Sequence, residues 1–235
     1  MPAMNRDLHG NAPDEAPVVL LLIDVINDLE FEGGEALLAQ ALPMADRLAA
    51  LKERAGAAGI PAVYVNDNFG RWRSNLHALL EHCRAEGVRG RALVERLLPG
   101  PDDYFVLKPK HSGFFSTTLD TLLEYLRART LILTGLTADN CVLFTASDAY
   151  LRDYHLIVPD DCVASIDPGD TRQALAHMRR VLKAEVAPSA TLALCGNDAV
   201  RQTKDRPLSP GSAGPARSAA SPSASTRRAP RGPAA

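Results

Sequence analysis

Asp24, Lys108 and Cys141 are the residues of this chain whose types and positions suit covalent chemistry. Cys141 follows the apolar run Leu131-Ile132-Leu133 and the segment Thr134 to Asn140, and it precedes an apolar, helix-like stretch from Val142 to Tyr150. A helix start presents unpaired N–H groups and the positive end of the macrodipole, which favour a thiolate over a thiol. Asp139 and Asn140 are the expected N-caps of that helix. Asp24 closes a first apolar run and Lys108 closes a third. A carboxylate can take the thiol proton, an ammonium can stabilise the thiolate and later anions, and the thiolate can attack a carbonyl or similar carbon. Each residue also has an ordinary reading. Free cysteine usually packs as a small hydrophobe, and aspartate after a strand is commonly a turn residue. Lys110 offers the charge of Lys108 two residues on, on the same face of an extended chain.

The elements that must position these groups are legible as alternation. Val18 to Ile23 is a continuous apolar run, the pattern of a strand buried on both faces. Glu35 to Ala57 carries apolar residues at helical spacing and is closed by Gly59 and Pro61. The pattern then repeats: Ala62 to Val65 with a helix near 76–86, Tyr104 to Leu107 with a helix near 117–128, Leu131 to Leu133 with the Cys141 helix. Leu156 to Val158 precedes a helix from about Asp170 to Ala184, and Thr191 to Cys195 reads as a short last strand. Asn66 to Ser74 and Gly87 to Pro101 read as irregular surface segments. Such β-α alternation implies an α/β fold, Rossmann-like and doubly wound, with a mostly parallel six-stranded sheet and helices on both faces in three α/β/α layers. Ligands in that architecture bind beyond the carboxyl ends of the strands, where Asp24, Lys108 and Cys141 all fall.

Of the 235 residues, 46% are hydrophobic, enough for one large domain. We expect a flexible N-terminus over 1–16, a catalytic domain over 17–200 and a disordered Pro, Ser, Ala and Arg-rich tail over 201–235, whose composition cannot bury enough apolar surface to offset its ordering entropy. The tail holds seven Lys or Arg against Asp205, so the formal net charge of −2 hides a body near −8. An acidic body argues against a specific nucleic-acid partner. The four cysteines are far apart and form neither a C-x-x-C pair nor a zinc spacing. With no apolar leader and no membrane-length apolar segment, the expected location is the cytoplasm, with no membrane partner.

Around the three residues the sequence resembles the isochorismatase-like hydrolases, the cysteine hydrolase group that includes nicotinamidases. Leu22-Ile23-Asp24-Val25-Ile26-Asn27-Asp28 is similar to the family's opening motif, and Leu107-Lys108-Pro109-Lys110-His111-Ser112-Gly113-Phe114-Phe115 to its lysine segment. Gly135 to Cys141, with Thr145 to Tyr150 after it, resembles the cysteine segment, and Asp160 to Ser165 the downstream strand-end motif. The resemblance spans roughly residues 17 to 195. It implies an Asp-Lys-Cys triad of Asp24, Lys108 and Cys141, with Lys108 aligned ahead of Lys110. It also implies a non-proline cis peptide between Leu136 and Thr137, which would aim the amides of Thr137 and Cys141 at a developing oxyanion. Thr137-Ala138 departs from the family's usual small-then-Thr order.

Nicotinamidases carry an Asp-x-His and a further His after the second strand. Asn66-Asp67-Asn68-Phe69 stands there instead, so no metal ligands and no cofactor are expected. His77 and His82 read as surface or packing residues, and His111 as either a pocket or a structural residue. Candidate substrate-binding residues are Asn27, Asn68, Phe69, Trp72 and Phe115, and Arg71 and Arg73 beside Trp72 would suit a carboxylated substrate. The expected activity is hydrolysis of an amide-like C–N bond in a small molecule through a thioester. The competing readings are vinyl ether hydrolysis and a non-catalytic binding protein on the same fold. By resemblance the chain is expected to form a homo-oligomer, a dimer or tetramer.

Overall fold

The computed structural model describes residues 15–67 and 75–194. Its elements run β1 (Val18–Ile23), α1 (Gly34–Ala57), β2 (Ala62–Asp67), α2 (Leu76–Cys83), α3 (Arg91–Arg96), β3 (Tyr104–Lys108), α4 (Leu119–Tyr125) and β4 (Thr130–Leu136). A π-helical turn (Ala138–Val142) leads into α5 (Leu143–Tyr150), followed by β5 (His155–Pro159), β6 (Val163–Ala164), α6 (Pro168–Arg180), β7 (Glu185–Ala187) and a 3₁₀ turn (Ser189–Thr191). The strands pair in parallel in the order β3-β2-β1-β4-β5-β7, and the short β6 pairs with the end of β4. The chain therefore winds outward from β1 to β3 and then returns to the other side of β1. The switch point lies between β1 and β4, where α/β sheets place their ligands.

Burial on both faces explains the unbroken apolar runs. Val19, Leu21 and Ile23 of β1 join one core with Leu119 and Leu123 of α4, Ala146 of α5 and Met178 of α6. The alternate residues Leu20 and Leu22 join a second core with Leu37, Leu48 and Leu51 of α1, Leu79 of α2 and Leu93 of α3. Helices thus cover both faces, in three layers. No helix among the described residues is long and apolar enough to cross a membrane.

Three readings need correction. Among the described residues the sheet has seven strands, and its edge member is Glu185–Ala187 rather than the segment that starts at Thr191, whose last residue, Cys195, lies outside the described residues. Thr191 and Leu192 instead close tight turns onto Pro188 and Ser189, and Arg54 of α1 donates to the carbonyls of Ser189 and Leu192 at 2.9 and 2.7 Å. Those carbonyls are spent on a guanidinium, not a ladder. The segment from Gly87 to Pro101, read as irregular, contains α3, held because Leu93 and Val94 are buried. The expected caps Asp139 and Asn140 lie inside the first turn, because the helical path starts at Ala138 after an extended Thr137. The proposed disordered tail over 201–235 lies outside the described residues. Near the other terminus, Ala16 is buried and its amide donates to Leu126 O at 2.7 Å.

Candidate active site

Sheet register sets the first contacts. Asp67, the last residue of β2, is in register with Lys108, the last of β3, and Ile23 of β1 is in register with Val65 of β2 and Gly135 of β4. Lys108 and Asp24 are therefore two strand spacings apart, roughly 10 Å across the sheet. Only a long side chain spans that gap. Lys108 Nζ reaches Asp24 Oδ2 at 2.8 Å, passes Asp67 Oδ2 at 3.7 Å, and donates to Lys110 O at 3.2 Å. Lys110 thus contributes a carbonyl to the site, while its own side chain belongs to an exposed residue.

Asp24 has a left-handed backbone, φ 51°, immediately after β1. Its amide donates to Val65 O at 2.9 Å, and its Oδ1 accepts from the amide of Asp67 at 2.7 Å. One carboxylate oxygen is thereby tied to β2 and the other to β3. On the far side of β1, the approach of β4 depends on Gly135, whose φ is 106° and whose place would put a Cβ 2.0 Å from Ile23 O. Beyond it the Leu136–Thr137 peptide is cis. Leu136 is buried and Thr137 half-buried, with the Thr137 carbonyl accepting from both Asn140 and Val142 amides at 3.1 Å. The second of these bonds widens the first turn to π geometry and sets the position of Cys141.

The sulfur of Cys141 accepts from Lys108 Nζ at 3.5 Å, and the Asp24 carboxylate lies near enough to act on the acidity of the thiol. The structure brings the three residues together around one half-buried sulfur. Burial, then the carboxylate of Asp24, pushes the Cys141 thiol up to about 12, with Lys108 pulling the other way. Burial and the Asp24 carboxylate therefore favour the protonated thiol, against the pull of Lys108. Burial likewise raises the Asp24 carboxyl above its ordinary value, opposed by Lys108. Burial disfavours the Lys108 ammonium, but Asp24, Cys141 and Asp67 outweigh it and raise its pKa. A fixed cation thus sits beside a carboxyl that accepts protons more readily than a free aspartate does.

The loop after β3 is stitched to the helix that carries the sulfur. Gly113 N donates to Thr145 Oγ1 at 3.0 Å, and Thr145 Oγ1 donates to Cys141 O at 2.7 Å. Ser112 Oγ donates to Asp148 Oδ2, and Ser165 Oγ donates to Asp139 Oδ1 at 2.6 Å. Between these anchors, His111 Nδ1 stands 3.9 Å from Cys141 Sγ. Sequence reasoning missed Asp67, Ser112, Thr145 and Asp148. Asp67 was within reach of the strand-end filter that picks out Asp24.

Two of the substrate-binding candidates, Asn27 and Phe115, are among the described residues. Asn27 spends its Oδ1 on the amide of Leu29 at 2.9 Å, and Phe115 is exposed. Asn68, Phe69 and Trp72 lie outside the described residues, as do Arg71 and Arg73. His82 Nε2 pairs with Asp28 at 2.8 Å on the surface. Among the described residues no group of three or more His, Cys, Asp or Glu is arranged to hold a metal ion. Asp67, at the end of β2, faces Lys108 Nζ at 3.7 Å.

A family model described as the isochorismatase domain matches residues 18–191. The chain belongs to the isochorismatase family. It is 40% identical over 172 residues to an uncharacterised isochorismatase family protein, YaaI of Bacillus subtilis, covering 73% of this chain and 94% of that one. It is 31% identical over 180 residues to the ureidoacrylate amidohydrolase RutB of Methylorubrum extorquens, covering 66% and 73%. Among solved structures, N-carbamoylsarcosine amidase of Thermoplasma acidophilum matches with a TM-score of 0.57 at 28% identity, over 74% of this chain and 98% of that chain. The nicotinamidase PncA of Bacillus subtilis matches with a TM-score of 0.57 at 27% identity, over 73% and 99%. Family members are thus hydrolases that include amidohydrolases.

Proposed function

We propose that this isochorismatase family protein is a cysteine amidohydrolase that cleaves a C–N bond of a small amide or ureide through a thioester on Cys141. The observation that carries the reading is the contact of Cys141 Sγ with Lys108 Nζ at 3.5 Å, while that ammonium is itself paired with Asp24 at 2.8 Å. A nucleophile, a base and a fixed positive charge share one contact set.

In the proposed reaction, Asp24 takes the thiol proton as the sulfur attacks the carbonyl carbon. Attack and deprotonation are coupled, since a thiol raised to about 12 holds little thiolate at rest. The amides of Thr137 and Cys141 stabilise the oxyanion of the tetrahedral intermediate, and Lys108 offsets the charge gathered around the sulfur. The protonated Asp24 returns its proton to the departing nitrogen, which leaves as ammonia or an amine. Water then hydrolyses the thioester. The relatives' activities on ureidoacrylate and N-carbamoylsarcosine direct the substrate search to carbamoylated nitrogen compounds.

The test is a substrate panel of ureidoacrylate, N-carbamoylsarcosine, nicotinamide and simple amides with ammonia detection. A ureide or amide that releases ammonia with the wild type, and not with Cys141→Ala, supports the proposal. Full turnover by Cys141→Ala would exclude the covalent route.

A further inference from the structure

The sulfur of Cys141 has two kinds of neighbour. Lys108 has no exposed surface and Asp24 is 5% exposed, whereas His111 is an exposed residue. The imidazole is nonetheless held. Its ring stacks on Phe144 of α5 with centroids 5.4 Å apart and 29° between planes, and its Nδ1 stands 3.9 Å from Sγ. The residues that follow it, Ser112 and Gly113, are bonded to Asp148 and Thr145 of the same helix. The ring is thus fixed to the element that carries the nucleophile, through its backbone and through its face.

We infer that His111 is a further catalytic residue, the base that takes a proton from the hydrolytic water during breakdown of the thioester. This inference rests on the covalent reading proposed above. Once Cys141 is acylated its sulfur carries no proton, and Nδ1 faces a thioester whose acyl carbon is one bond beyond the sulfur. The water oxygen bonds to that carbon while one water proton passes to Nδ1, leaving an imidazolium. The tetrahedral intermediate then collapses: the C–S bond breaks with its electron pair going to sulfur, and Nδ1 returns the proton to the thiolate. A thioester and a water become a carboxylic acid and a thiol, and the imidazole ends as it began.

The division of labour follows from access. Asp24 has Oδ1 bonded to the Asp67 amide and Oδ2 paired with Lys108, so it is placed for the proton that Cys141 itself supplies. Water arrives from solvent, where His111 is open and Asp24 is not. Imidazole is also the side chain whose basicity suits proton transfer near neutral pH.

The test uses p-nitrophenyl acetate, which delivers an acetyl group to a reactive thiol and reports it as nitrophenolate. His111→Phe keeps a ring against Phe144 and removes both nitrogens, and His111→Gln serves as a second variant should the first fail to fold. The expected result is an intact nitrophenolate burst followed by a steady rate about 10²-fold below wild type, with an acetyl adduct accumulating on Cys141 by mass spectrometry. Hydroxylamine, which attacks thioesters without a general base, restores turnover in both variants. A steady rate within about twofold of wild type and no adduct overturns the role of His111, as does a loss confined to the burst. Failure of wild-type Cys141 to acylate, with Cys141→Ala equally active, overturns the covalent reading itself.

Discussion

Lys108 Nζ, without exposed surface, lies 2.8 Å from Asp24 Oδ2, so two charges meet in the interior at the ends of strands that are not neighbours. The pair links β1 to β3 across β2 and depends on both partners being ionised. Its removal has a predictable pH signature.

Lys108→Met leaves Asp24 buried without its cation. We expect a stability loss of about 3 kcal/mol near pH 8, in the range for breaking a buried pair. Lys108 opposes the rise of the Asp24 pKa, so removing it lets that pKa rise further above the ordinary 3.8. A carboxyl raised in the folded state stabilises fully below its unfolded pKa, and that contribution is lost as pH rises through the folded value. The penalty therefore shrinks towards pH 4 and grows towards pH 8. Urea unfolding of wild type and variant across that range checks it, and a pH-independent gap would contradict it.

Cys83, Cys141 and Cys162 all have thiols pushed up to about 12, by burial first in each case. Acidity does not separate them, but access does, since Cys83 and Cys162 are fully buried and Cys141 is half-buried. Native iodoacetamide labelling among these three goes to Cys141, at a rate rising about tenfold per pH unit between pH 7 and 10. Asp24→Asn removes the carboxylate that is the second cause of the raised value, so labelling at pH 8 speeds up while hydrolysis is lost. Peptide mapping and rate measurement decide both points.

Gly135→Ala would place a methyl group 2.0 Å from Ile23 O at a backbone φ of 106°. The cost falls on the β1–β4 seam that brings Asp24 and Cys141 together. A loss of more than about 3 kcal/mol is expected, and thermal unfolding measures it.

Thr145→Val is nearly isosteric and keeps the core volume, but it leaves the buried Gly113 amide without its 3.0 Å acceptor and ends the 2.7 Å bond to Cys141 O. We expect about 1–3 kcal/mol of destabilisation. Hydrogen exchange at residues 110–114 rises, because the loop loses its anchor to α5. An unchanged exchange rate there would show that Ser112 and Asp148 suffice.

The amino-acid order was enough for the α/β class, since Val18 to Ile23 and Leu131 to Leu133 are apolar without interruption, as strands covered on both faces are, and they alternate with segments of helical spacing. It was less informative at the sheet edge. Glu185–Ala187 is a three-residue strand with partly exposed side chains, too short for any periodicity, while the more apolar Thr191–Leu194 segment is diverted by Arg54. Strand ends marked Asp24, Lys108 and Cys141 as candidates because chemistry in this architecture gathers there.

The chain by itself determined which groups stand at strand ends, because hydrophobic runs and their polar stops are local. Which of them meet was decided only by tertiary structure. Strand order places β2 between β1 and β3, so that Lys108 crosses Asp67 on its way to Asp24. The same packing sets the thiol's acidity, through burial and a neighbouring carboxylate. Distance and desolvation arise from contacts between residues more than thirty positions apart, and no local pattern encodes them.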